Sequence, residues 1–201
     1  MGRLTAGALR AARPRAPRRW AAAVLLCCTG AAHAAVEEDS THRPYPVQVR
    51  PGESLRAALH AATPISVGGQ RFHGYTRWDV RWSFRWWREA SGRCAITEVT
   101  TRLRTEVQLP ELRGAGAAQQ AAFDRYLTAL SQHEQGHVQI GRDAAQAIDQ
   151  ALRQMPAAPD CATLERDANA VAQRLLRDHV EREKQYDVRT RHGASQGARL
   201  D

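Results

Sequence analysis

Between residues 74 and 88 the chain alternates with period two. Trp78, Val80, Trp82, Phe84 and Trp86 fall on one face of an extended strand, and Arg77, Asp79, Arg81, Ser83 and Arg85 on the other. Such an aromatic row is the pattern of a core-facing sheet surface; a sugar-stacking or nucleic-acid platform is its rarer use. After the turn Ala90-Ser91-Gly92-Arg93, Val99, Leu103, Val107 and Leu109 alternate with Glu98, Arg102, Arg104 and Glu106. That predicts a partner strand, and so a β-hairpin ending at Leu109-Pro110. Cys94 and Ile96 lie on the opposite parity, so a bulge or strand start is expected near Thr97. Upstream, Tyr45 to Arg50 alternates as a short edge strand carrying Pro46, preceded by a polar, frayed stretch from Val36 to His42. Ser54 is placed to cap a short helix over Leu55 to Ala62, halted before Pro64, and Gly68-Gly69 marks a turn.

The period then changes to that of a helix. Phe123, Tyr126, Leu127, Leu130, His137, Ile140, Ala144, Ile148 and Leu152 recur at three- and four-residue intervals, predicting one long helix from about Gln119 to Met155. A second helix is predicted from Cys161 to about Tyr186, with Leu164, Ala168, Val171, Leu175 and His179 inward. The connection between them is short, so the two helices run antiparallel. At 1.5 Å per residue, His133 to Met155 and Cys161 to Glu183 each span about 33 Å, which returns the second helix to the level of His133. The predicted fold class is α+β: an antiparallel β-hairpin or small sheet packed on a long helix and an antiparallel C-terminal helix, in the manner of a zincin.

The long helix carries His133-Glu134-Gln135-Gly136-His137, the HExxH pattern. Imidazoles at i and i+4 stand one turn apart on one face, the spacing that suits a single Zn2+ ion. Glu134 points beside the first of them, where a carboxylate can take a proton from a metal-activated water. Gly136 costs about 1 kcal/mol against Ala in a helix interior, which signals a close approach to the backbone there. The returning segment offers Asp178, His179, Glu181, Glu183, Asp187 and His192 as third ligands. A metzincin continuation would need Gly and His at the positions of Ile140 and Asp143, so that subclass is disfavoured.

Composition changes the picture through its distribution. The 201 residues carry a net charge of +8. Six of the 29 Lys and Arg, and no acid, fall in residues 1–34; 23 basic residues then face 21 acidic ones, a balance of +2. A nucleic-acid role argued from charge is thereby excluded. The arginine-rich start, the apolar run Trp20 to Cys28 and Ala32-His33-Ala34 read as an export signal over 1–34, cleaved near Ala34. The run is too short for a membrane span. Residues 35–201 are then a single domain, periplasmic or secreted, without a membrane span after cleavage. In an oxidising compartment its two cysteines, Cys94 and Cys161, are expected to form a disulfide.

Several separated motifs occur in one order: Gly74-Tyr75-Thr76-Arg77-Trp78 at the head of the aromatic strand, Cys94, HExGH, Cys161, Tyr186-Asp187, Thr190, His192-Gly193 and Gln196-Gly197. Together they resemble the bacterial domain of unknown function 922, described as predicted secreted zinc-dependent proteases. The resemblance covers roughly residues 40 to 200. It implies a functional C-terminal tail, which makes His192 the first choice for third zinc ligand, beside His133 and His137; Asp187 follows, then a carboxylate of the second helix. The expected activity is a zinc-dependent peptidase with Glu134 as general base, acting on a peptide or protein substrate in the cell envelope. A non-catalytic zincin-like binding module, or an amidase acting on peptidoglycan peptides, are the alternatives.

Overall fold

The computed structural model describes residues 36–200. The expected export signal lies outside them. The chain begins with β1 (Glu37–Gln48), α1 (Leu55–Ala62), a small hairpin of β2 (Ser66–Val67) and β3 (Gln70–Arg71), and the long strands β4 (Tyr75–Arg88) and β5 (Cys94–Arg113). Two long helices follow, α2 (Ala117–Arg153) and α3 (Cys161–Thr190), and then a 3-10 turn over Ala194–Gln196. The architecture is α+β, with a small mixed sheet against three helices. No helix among the described residues is long and apolar enough to cross a membrane.

The sheet has the order β1-β5-β4. β4 and β5 form the expected antiparallel hairpin, and the pairing slips between Arg85 opposite Glu98 and Trp86 opposite Ile96. Thr97 is thus the extra residue of a bulge, where the parity change placed it. β1 departs from expectation. It runs parallel to β5, from Glu37 opposite Arg102 to Gln48 opposite Arg113, so the sheet is mixed rather than antiparallel. The stretch expected to fray, 36–42, is mostly strand. Its exposed polar side chains carry no alternation; ladder hydrogen bonds and cross-strand pairs hold it instead, Glu37 with Arg102 at 2.6 Å and Asp39 with Arg104 at 3.5 Å. Nor does β5 stop at Pro110. Beyond Gln108 it has lost β4 and keeps only β1 as a neighbour, and there a residue without an N–H is tolerated.

Even-numbered β4 residues face the helices as predicted, yet of the aromatic row only Val80 is fully buried. β4 is an edge strand, so α2 and α3 cover it incompletely. The indole N–H groups at the rim donate instead to α3, Trp82 to Asn169 at 3.0 Å and Trp86 to Glu165 at 2.7 Å. α2 lies close over Trp78 because it presents Gly141 there: a Cβ would meet Trp78 Cγ at 2.9 Å.

Ser54 caps α1 as expected, its hydroxyl accepting from Ala57 N at 3.2 Å. α2 and α3 match their predicted spans, except that α3 continues a turn past Tyr186 to Thr190. Cys94, at the start of β5, and Cys161, at the start of α3, form the disulfide, with Cα atoms 5.0 Å apart. α2 contributes to two apolar clusters. Phe123, Tyr126 and Leu130 join Val47, Leu59 and Val107, whereas Ala144, Ile148 and Leu152 join Val80, Leu103 and Ala168. Each fully buried Leu or Ile contributes about 2 kcal/mol. His133 to His137 lies between Leu130 and Val138 of the first cluster, which fix it from both sides.

Candidate metal centre

One turn of α2 puts the His133 and His137 rings side by side, with centroids 4.8 Å apart. The antiparallel return of α3 then brings Asp187 between them. His133 Nε2 and His137 Nε2 are 3.3 Å apart, and Asp187 Oδ1 is 3.2 Å from the first and 3.1 Å from the second. Three mutual separations of this size cannot all be hydrogen bonds, because if both imidazoles donate to the carboxylate their own contact has no acceptor. They do match a tetrahedron drawn around an ion with ~2.0 Å bonds, whose edges are about 3.3 Å. Two imidazole nitrogens and a carboxylate are a donor set that zinc accepts, and the group can hold a metal ion.

The nitrogens not aimed at this point are engaged elsewhere. His133 Nδ1 lies 3.0 Å from Gln196 Oε1, which accepts its proton and frees Nε2. His137 Nδ1 lies 3.4 Å from Glu183 Oε1, an ion-pair separation rather than a well-formed hydrogen bond. Tyr186 stacks on His133, with centroids 5.0 Å apart and planes within 10°, and its hydroxyl donates to the His133 carbonyl at 3.3 Å. This is the approach that Gly136 signalled: a Cβ there would collide with the Tyr186 ring and hydroxyl.

Electrostatics follow from burial and partners. Burial works to raise the Asp187 carboxyl, but hydrogen bonds to His133 and His137 outweigh it and hold it far below the ordinary carboxylate range. Burial works against a charged His137, yet Asp187 and Glu183 prevail and lift it to about 9 in the metal-free protein. Glu134 is buried at 3% exposure. Desolvation raises it, and a hydrogen bond from Thr76 Oγ1 to Oε2 at 2.7 Å, with the two imidazoles, offsets only part of that. Gly74 makes room for this carboxylate, since a Cβ there would sit 2.5 Å from Glu134 Oε1.

His133, Glu134, His137, Glu183, Asp187 and Thr76 line a cleft of about 290 Å³, together with Phe72, His73, Gly74, Tyr75, Tyr126 and Leu130. His192 also lines it, half exposed at the rim. Its Nδ1 is 3.4 Å from Asp187 Oδ1 and its ring lies against Phe72, with centroids 4.9 Å apart. Of the two leading candidates for third ligand, Asp187 is the one brought into the donor triangle, and His192 borders it. Arg191 and His192 both adopt φ of +51°, and this reversal turns the chain after α3 so that Gln196, not His192, meets His133. His179 hydrogen-bonds the Leu175 carbonyl of its own helix at 2.8 Å, away from the triangle.

Gln196 and Thr76 were not singled out from spacing, although both fall in the motifs that carried the family resemblance. No curated protein and no solved structure matches the chain. A family model described as bacterial protein of unknown function (DUF922) matches residues 42–193, from the middle of β1 past the donor triangle to Gly193, and the chain belongs to that family.

Proposed function

We propose that this chain is an exported, zinc-dependent peptidase. The observation that carries this reading is the near-equilateral triangle of His133 Nε2, His137 Nε2 and Asp187 Oδ1, with the buried carboxylate of Glu134 beside it on the same helix, at the wall of an open cleft. A bound zinc ion would supply Lewis acidity, lowering the pKa of water toward 7 and polarising a carbonyl oxygen.

The chain's own residues do the rest. Glu134, raised by burial, accepts the proton of the attacking water and delivers it to the departing amine; a carboxyl shifted toward neutrality suits both transfers. Thr76 fixes Oε2, which leaves Oε1 as the proton-carrying atom. Gln196 and Glu183 orient the two imidazoles, and Tyr186 packs the first against rotation. His192, on the open side, borders the substrate.

Glu134→Gln is expected to retain one equivalent of zinc and to lose peptide cleavage by 10²- to 10⁴-fold. His133→Ala loses the zinc. Metal analysis of the purified proteins, with cleavage of a peptide library, checks both. Undiminished cleavage by Glu134→Gln ends the mechanism.

A further inference from the structure

The cleft is polarised along its length. Its metal end carries Glu134, Glu183 and Asp187, whereas Arg71 and His73 line it beside Tyr126, with His73 2.7 Å from the Tyr126 hydroxyl. Around His73 the positive charge deepens. Arg71 Nη1 donates to the His60 carbonyl at 2.7 Å, the His60 and His73 rings meet edge to face at 6.3 Å, and Arg56, one helical turn before His60, acts on His73 and Tyr126 from α1. A second hollow, bounded by Arg56, Arg199 and Leu200, meets the cleft at His73 and Tyr126.

Among the described residues these arginines are not neutralised. Arg56 and Arg71 donate to backbone carbonyls, those of Leu200 and His60, and neither they nor Arg199 has a carboxylate partner among the described residues. On the sheet, by contrast, Arg43, Arg102 and Arg104 each face an acid. His73 adds a neutral donor. The buried Tyr126 hydroxyl lies 2.7 Å from His73 Nδ1, and with the phenol donating there the ring proton resides on Nε2. Burial, His60 and Arg56 all hold His73 below its ordinary value, which favours the neutral ring. Tyr126 precedes His133 by seven residues, about 10 Å along the helix axis. That is the reach of about three residues of extended chain.

We infer that the cleft takes acidic peptides: a substrate carboxylate, from an Asp or Glu side chain or from a chain terminus, docks on Arg71, Arg56 and His73, about three residues from the bond held at the metal end. The position of that bond rests on the proposed peptidase reading; the docking itself does not. The test is anisotropy binding of labelled peptide amides, neutral except for one Glu moved along the chain, to zinc-loaded Glu134→Gln. A free-acid peptide and a wholly neutral amide complete the set. A carboxylate at the favoured position is expected to tighten Kd at least about tenfold, through charge-assisted hydrogen bonds. The gain disappears in the Arg71→Gln, Arg56→Gln double variant and survives, reduced, in Arg71→Lys. A gain confined to the Glu peptides assigns the site to side chains, and one confined to the free acid assigns it to a terminus. Equal binding of acidic and neutral amides, no binding at all, or a preference that persists in the double variant overturns the inference. Cleavage of the same peptides by the unsubstituted protein is scored separately. Silence there, with arginine-dependent binding intact, overturns the peptidase reading and leaves the docking site standing.

Discussion

The two ends of the α2–α3 pair are built from the same helices by opposite means. At one end Ile148, Leu152, Leu164, Ala168 and Ala172 are almost wholly buried, and the Cys94–Cys161 disulfide closes the group. At the other end His133, Glu134, His137 and Thr190 are buried almost as deeply. Apolar side chains need volume and little else. Buried ionisable groups need named partners, and isolating one costs several kcal/mol. The polar end is therefore knit by specific bonds: Gln196 to His133, Thr76 to Glu134, Asp187 to both imidazoles. The stapled end is thus held by apolar volume, and the polar end by directional partners around a group that can hold a metal ion.

The largest effect is expected from removing the staple. The disulfide spans 67 residues of sequence, and loop-closure entropy puts its loss at about 4 kcal/mol. The Cys94→Ser, Cys161→Ser double variant is expected to lose that much in urea unfolding while its zinc affinity changes less than about threefold. A collapse of affinity alongside stability would show that the ends are not separate. Gln196→Ala tests the converse. Without its acceptor, the His133 ring loses the bond that holds its proton on Nδ1, and zinc affinity is expected to fall 10- to 100-fold by chelator competition, with little change in urea stability of the apoprotein.

Proton linkage is the smallest effect and the sharpest probe of the polar end. The folded value of His137, about 9, lies above its ordinary 6.5. Its protonated form thus stabilises the metal-free fold fully below pH 6.5, and this contribution is lost as pH rises through about 9. On the proposed reading, zinc binding displaces that proton. Between pH 6.5 and 9 its affinity should climb by up to about tenfold per unit, with about one proton released in calorimetry, and level off above 9. An affinity flat across that window would place the metal elsewhere.

Local regularity made much of this legible. Alternation gave β4 and β5 with the bulge at Thr97, the Ser54 cap gave α1, and the 3.6-residue period gave α2 with both imidazoles on one face. Helix lengths brought residues near Asp187 to the level of His133, and two cysteines predicted their bond. The first part of β1 escaped, unlike the strand at Tyr45, because its first eight residues face solvent on both sides, so backbone pairing orders them and no side-chain period records it. The choice between Asp187 and His192 escaped for a related reason. Five residues apart, both were within reach of the imidazoles by length alone; the last turn of α3 and the positive φ at Arg191 and His192 settled which atom points inward. The sequence by itself determined the elements and the two histidines of the site, because a period is a property of neighbouring residues. The tertiary structure alone decided which carboxylate joins the two imidazoles, the partners of each ring and the basic far end of the cleft, because those depend on how helices and tail come to rest against one another.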